Sequence, residues 1–260
     1  MRILILTQNE NYYLPQAIGK VCKELGEDVV CVVSAPAMST HGGVVAGGLR
    51  HVRLFGLRGT AIMGYRMLMA KLRAHFCGSR IAERFYSLKH VASALGKPFH
   101  DIKKVNSPEL HAIIDQYAPD LLVSMSCPQI IGKKVRERFP AGCINVHGAP
   151  LPRYRGLMPA FWALCNGETM TATTVHDLGA KLDDGAILLQ RQVPISLEDT
   201  WSSLVHKTKE AGADALIQAV RQVRDGTVVR RPNPEEEATY FSFPTAKDRR
   251  RFVAAGRRFF

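Results

Sequence analysis

The chain has 260 residues, 46% hydrophobic and 22% charged, which is ordinary for a globular protein and enough for one sizeable core. Apolar runs such as residues 3–6 and 121–123 are too short to span a bilayer, and the start, MRILILTQNE, reads as a first strand rather than a signal peptide. The formal net charge is +12 and unevenly placed: residues 50–104 hold twelve Lys/Arg against two acids, and residues 246–260 hold six against one. Such an excess suits an anionic partner (phosphate, polyglutamate, nucleic acid or membrane surface) or a solvated basic face. The six cysteines are scattered without a C-x-x-C pair, which predicts reduced, mostly buried thiols in a cytoplasmic protein, with no disulfide framework and no metal site.

Residues 2–7 are almost all apolar, as a buried parallel strand requires. Pro15 starts a helix that Gly26 stops, and residues 28–34 form a second buried strand. Strand, helix, strand at this spacing predicts a βαβ unit and a parallel sheet. The glycines at 42, 43, 47 and 48 mark a loop. Tyr65, Leu68, Met69, Leu72 and Phe76 then recur at helical spacing with Arg66 and Arg73 off the stripe. After Gly78 a second helix puts Ile81, Phe85, Leu88, Ala92 and Leu95 on one face, with Arg80 and Arg84 on another. Both stripes are expected to be packing faces. The alternative reading of a basic amphipathic helix is peripheral contact with a membrane.

Lys97, Pro98 and Phe99 enter a short strand. Ser107, Pro108 and Glu109 read as N-cap, first-turn proline and acid, opening a helix to Tyr117. Residues 120–126 and 142–147 are predicted strands and 131–139 and 158–166 helices. Strands follow at 171–177 and 186–195, then a long helix over 200–224. Residues 227–231 and 239–243 are expected to pair as a small terminal hairpin or sheet. The predicted class is α/β, a Rossmann-like and mostly parallel sheet with helices on both faces. Residues 1–195 form the main domain with a basic helical insertion at about 50–96. Residues 196–260 form a C-terminal helix and hairpin extension.

The stretch INVHGAPLPRYRG at 144–156, followed by LDDG at 182–185, carries the chemistry. Side chains at i and i+2 of a strand share a face, so Asn145 and His147 project together. An amide stabilises a developing oxyanion, and a histidine moves a proton near neutral pH. A carboxylate within reach orients that histidine and favours its charged form. These are the parts needed for acyl transfer to an amine without a covalent enzyme intermediate. Asp183 and Asp184 both qualify as the acid.

Taken together, the N-x-H pair, the LPRYRG loop and the LDDG loop resemble the formyltransferases that use 10-formyltetrahydrofolate. The resemblance follows strand order over residues 1–195 and is strongest over 118–190. It implies a site at the carboxyl ends of the sheet strands, with Asn145 on the formyl oxygen, His147 in proton transfer and Asp183, by alignment, holding His147. It further implies that backbone groups hold the pterin: Gln129, Ile130 and Ile131 on one side, and Gly179, Ala180, Lys181 and Leu182 on the other. At Leu157 some sugar-modifying relatives carry an arginine, so an ion pair to the folate tail is not implied there.

Three acceptors compete. A tRNA acceptor fits the basic charge, but the tRNA enzymes carry an extra C-terminal barrel, and only about 65 residues follow Ile195. A glycinamide ribonucleotide acceptor needs a glycine-rich phosphate turn after the first strand, and here that turn is TQNENYYLP. The expectation is therefore a nucleotide-linked amino sugar, such as a 4-amino-4,6-dideoxyhexose for a bacterial surface polysaccharide. Asn9, Asn11, Tyr12, Arg153 and Tyr154 are its candidate contacts, and the sugar enzymes imply a homodimer. Nucleic acid is not the expected partner. A formyltetrahydrofolate hydrolase or a non-catalytic folate-binding protein is the alternative class. The known deformylases add an N-terminal domain, and here the first strand begins at Arg2.

Overall fold

The computed structural model describes residues 1–36, 43–76 and 84–260, except the side chains of 43–47. In chain order the elements are β1 (Ile3–Gln8), α1 (Leu14–Leu25), β2 (Val29–Ala35), α2 (Gly43–Phe76), α3 (Leu88–Ala94), β3 (Phe99–Asp101), α4 (Pro108–Tyr117) and β4 (Leu121–Met125). Then come α5 (Lys133–Arg136), β5 (Cys143–His147), β6 (Arg155–Gly156), α6 (Pro159–Cys165), β7 (Met170–Asp177), β8 (Ile187–Pro194), α7 (Trp201–Arg224), β9 (Tyr240–Phe241) and α8 (Ala246–Ala254).

Seven strands form one sheet in the order β3-β2-β1-β4-β5-β7-β8. Pairing is parallel from β3 to β5 and antiparallel from β5 through β7 to β8. This is the Rossmann-like α/β sheet that the sequence predicts. The chain runs outward from β1 to β3, then returns to place β4 on the other side of β1. Open α/β sheets bind ligands outside the carboxyl ends of the strands at such a switch point.

Strand alternation divides the core. Ile3, Ile5, Val123, Ile144 and Val146 face a cluster completed by α1, α3 and α7. Leu4, Leu6, Val33, Leu122 and Cys143 face a second cluster with α4 and α5. The helix α7 supplies Ala213, Leu216, Ile217 and Val220 to the first cluster. A third, aromatic cluster joins Leu54 and Phe55 of α2, α6, Trp201, Phe252 and Phe259. The five described cysteines are free, and burial pushes the Cys22, Cys31 and Cys143 thiols up to about 12.

Five expectations need correction. Gly43, Gly47 and Gly48 lie in α2, not in a loop, while Gly42 is outside the described residues. Each helical glycine costs about 1 kcal/mol against alanine, but burial of Leu54 and Phe55 offsets this at about 1.5–3 kcal/mol per side chain. Only Gly56 leaves helical geometry, at φ 71°. The helix expected after Gly78 is described only at Leu88–Ala94, with Gly78, Arg80 and Ile81 outside the described residues. The helix predicted over 131–139 is confined to α5.

The terminal hairpin does not form. Arg231 bridges Ile187, and β9 pairs with β6 inside the LPRYRG loop. The α2 stripe is not a packing face either, because Tyr65, Leu68, Leu72 and Phe76 are exposed.

Candidate active site

β5 brings the amide and the imidazole to the carboxyl edge of the sheet. Its alternate residues Ile144 and Val146 belong to the core under α7, so Asn145 and His147 take the opposite face. The β7–β8 connection then carries Asp183 to them. Asp183 Oδ2 lies 3.5 Å from His147 Nδ1, and its Oδ1 lies 3.6 Å from His176 Nε2. His147, His176 and Asp183 are all buried.

The hydrogen-bond partners fix the tautomers. Nε2 of His147 faces the Tyr154 carbonyl at 2.8 Å, so this nitrogen carries the proton and donates. In the neutral ring Nδ1 is then bare and turned to Asp183. His176 Nδ1 donates to the Asp177 carbonyl at 2.8 Å, which leaves Nε2 to accept the Asn145 amide N–H at 3.1 Å. Burial lowers the His176 pKa to about 4, beyond what nearby Asp183 restores, so it is neutral at pH 7.

The loop geometry separates the two acids of LDDG. Asp183 takes a left-handed backbone at φ 52° and accepts the Gly156 N–H at 2.9 Å, which turns its carboxylate inward. Asp184 folds back on its own loop, where its Oδ2 accepts the Lys181 N–H at 2.9 Å. A side chain at Gly185 would put Cβ 1.8 Å from the Asp177 carbonyl oxygen, so the turn admits no other residue without shifting.

A C-terminal strap anchors both loops. Asn233 Nδ2 donates to the Asp183 and Gly185 carbonyls at 2.9 Å each. Arg155 is fully buried and donates to Glu235 at 2.5 Å, to the Tyr240 hydroxyl at 2.6 Å and to Asn233 Oδ1 at 2.9 Å. Gly156, with φ at 101°, lets Phe241 approach: a Cβ there would meet the Phe241 carbonyl oxygen at 2.2 Å. Sequence reasoning missed His176, Asn233 and Glu235. The signal for His176 is its register opposite Asn145 in β7. The strap residues lie about fifty positions from LDDG and carry no local motif.

The remaining candidates are dispersed. Gln129 is tied down, accepting the Val105 N–H at 2.9 Å and donating to the Lys103 carbonyl at 3.2 Å. Ile130 is exposed, and its carbonyl accepts from Asn106 at 2.7 Å; Ile131 is buried in the α4–α5 cluster. Gly179 is half-buried, whereas Ala180, Lys181 and Leu182 are exposed. Asn9 donates to Asp101 at 3.0 Å, and Asn11 is half-buried.

Tyr12 packs edge-on against His206 beneath the Arg66 guanidinium. Arg153 is exposed, 3.8 Å from Glu168. The Tyr154 side chain is buried, stacks on Phe241 and donates to Glu168 at 2.6 Å, while its carbonyl accepts from His147.

The start of α1 differs from a phosphate turn. The Glu10 carboxylate accepts the N–H groups of Tyr12, Tyr13 and Leu14, filling the position where a helix N-terminus would take an anion. Behind it, the half-buried Lys209 donates to the Ser126 hydroxyl, and desolvation lowers its pKa to about 8.

The sequence profile of the Formyl transferase family matches residues 67–220, more than half of the chain, and includes Asn145, His147, His176 and Asp183 but neither the start of α1 nor the C-terminal strap. The chain belongs to the formyl transferase family. A methionyl-tRNA formyltransferase of Acetivibrio thermocellus is 39% identical over 137 residues, covering 53% of this chain and 44% of that protein. The chain thus spans about half the length of the curated relatives it matches.

Among solved structures, glycinamide ribonucleotide transformylase 1 from Symbiobacterium toebii superposes with a TM-score of 0.61 at 21% identity, covering 90% of this chain and 94% of that one. The N-formyltransferase from Helicobacter canadensis, in complex with folinic acid and dTDP-3-aminofucose, gives 0.58 at 17% identity, with 93% and 71% covered. At these identities the likeness is one of fold.

Proposed function

We propose that this formyltransferase-family protein moves the formyl group of 10-formyltetrahydrofolate to the amino group of a nucleotide-linked amino sugar. The observation that carries the formyl-transfer reading is the convergence of Asn145, His147 and Asp183 at the end of β5, with Asp184 turned away. The pterin has a suitable place in the 179–184 loop. There the exposed Leu182 offers an apolar surface, and the buried Asp184 Oδ1 lacks a partner among the described residues, which fits a ring rich in N–H donors. On the family resemblance, Gln129, Ile130 and Ile131 would flank the other side of the ring through their backbone groups.

The donor supplies an activated formyl carbon. Asn145 spends one amide N–H on His176 and presents the other to the formyl oxygen, where negative charge develops as the acceptor amine attacks. The bare Nδ1 of His147 takes the proton leaving that amine, and Asp183 stabilises the imidazolium. His147 then returns the proton to the folate nitrogen as its bond to the formyl carbon breaks. The Tyr154 carbonyl keeps the ring from turning through both steps.

For the acceptor, the anion position of α1 is already occupied by Glu10, which argues against a phosphate held there. Tyr12, beside His206 and Arg66, gives a half-exposed aromatic and cationic surface for a nucleobase and diphosphate, and Asn11 a polar side chain for the sugar. A 4-amino-4,6-dideoxyhexose used by a cytoplasmic enzyme for surface polysaccharide meets these features. A second reading, methionyl-tRNA, is favoured by the 39% identity to such an enzyme.

The test incubates the protein with 10-formyltetrahydrofolate alone, with amino-sugar nucleotides and with initiator methionyl-tRNA. Tetrahydrofolate release that requires the amino sugar supports the proposal, and release that requires the tRNA selects the second reading. Release with no amine present contradicts transfer altogether.

A further inference from the structure

Residues 43–76 contain six Lys/Arg and no Asp or Glu. Beyond the break at Gly56, α2 continues to Phe76, and Leu57, Ala61, Tyr65, Leu68, Leu72 and Phe76 recur every three or four residues along one side. These are not core positions. Leu57 is 80% exposed, Tyr65 65%, Leu68 55% and Phe76 77%. Arg58, Lys71 and Arg73, also exposed, lie around the same stripe. An apolar stripe this long on open helix surface marks an interaction site.

The fold also adds a second basic segment. Residues 246–260 return to α2: the Arg249 guanidinium lies 2.8 Å from where a Cβ on Gly56 would sit, Phe260 is 5.8 Å from the Phe55 ring, and Arg66 lies 5.1 Å above Phe260. The two basic stretches, far apart in sequence, therefore meet around one helix.

We infer that the exposed face of α2 docks on an anionic phospholipid surface. Charge decides among the occupants. A second copy would set cations against cations, since α2 offers no acid to answer them. Nucleic acid would answer the cations but leave Leu57, Leu68, Leu72 and Phe76 in water. An anionic bilayer meets both needs, taking the apolar stripe at the headgroup boundary and the flanking Lys/Arg at its charged surface. The contact is peripheral, because no helix among the described residues is long and apolar enough to cross a membrane.

The test is co-sedimentation of the full chain with vesicles of phosphatidylcholine alone or mixed equally with phosphatidylglycerol. The parent should partition at least about tenfold more strongly to the mixed vesicles. The Leu68→Asp/Leu72→Asp variant should lose about tenfold or more of that binding while keeping its circular dichroism and denaturation midpoint. Equal partition to both vesicle types, or equal binding by parent and variant, overturns the inference. So does a parent dimer in sedimentation equilibrium that the variant dissolves, or RNA binding by the parent that the variant abolishes.

Discussion

Asn145 donates its side-chain amide to Nε2 of His176 across 3.1 Å, from β5 to the facing position of β7. The bond fixes which end of the amide is nitrogen, and so which group meets the formyl oxygen. His176→Leu should lower kcat about 10–100-fold with little change in KM for the folate donor, since an oxyanion donor is mispositioned rather than removed. His176→Gln, which keeps an acceptor, should recover most of the loss. Equal damage in both variants, measured by steady-state kinetics, would show that the acceptor does not matter.

The same histidine predicts an acid-sensitive fold. Burial places its folded pKa at about 4, below the ordinary value of 6.5. Between those values the unfolded chain binds a proton that the folded chain refuses, so stability falls as pH drops from about 6.5 toward 4 and is unaffected by this group above that window. The loss is roughly 3 kcal/mol at most. Urea midpoints of the parent and His176→Leu, measured from pH 7 to 4.5, should converge as pH falls.

Arg155 should matter for stability before chemistry. Its guanidinium is fully buried among Glu235, Tyr240 and Asn233, so Arg155→Met strands their polar groups and should cost about 3–5 kcal/mol in denaturant unfolding. Because Asn233 also holds the Asp183 and Gly185 carbonyls, activity should fall in whatever fraction remains folded.

How far these features are legible in the sequence depends on how local they are. The buried runs of β1 and β2 and the Ser107–Pro108 helix start announce themselves within a few residues, and so does the i, i+2 pairing of Asn145 with His147. His176 is a single histidine in a strand of threonines, and only its cross-strand register gives it a role. Asn233 and Glu235 act across the fold on residues fifty to eighty positions away. The glycines of α2 point locally to a loop, and tertiary burial of Leu54 and Phe55 overrides them. Its apolar stripe has the periodicity of a packing face, and periodicity alone does not say what covers it.

Lys209 offers a test of the opposite sign. Burial holds its pKa near 8 against the ordinary 10.5, only partly countered by Glu10. Below pH 8 the folded state carries the full cost of a buried charge, and this fades as pH rises toward 10.5. Lys209→Met should therefore raise stability by about 1–3 kcal/mol at pH 7 and by little at pH 10.5. A destabilised variant at pH 7 would mean that the lysine's hydrogen bond to Ser126 and its attraction to Glu10 outweigh its desolvation.

The central claim is that His147, set between the Tyr154 carbonyl and Asp183, moves the proton during formyl transfer. The most direct measurement is single-turnover formyl transfer by His147→Asn, with binding of a stable folate analogue measured in parallel. The account predicts a rate at least about 10³-fold below the parent, with analogue affinity little changed. Transfer at close to the parental rate would contradict it.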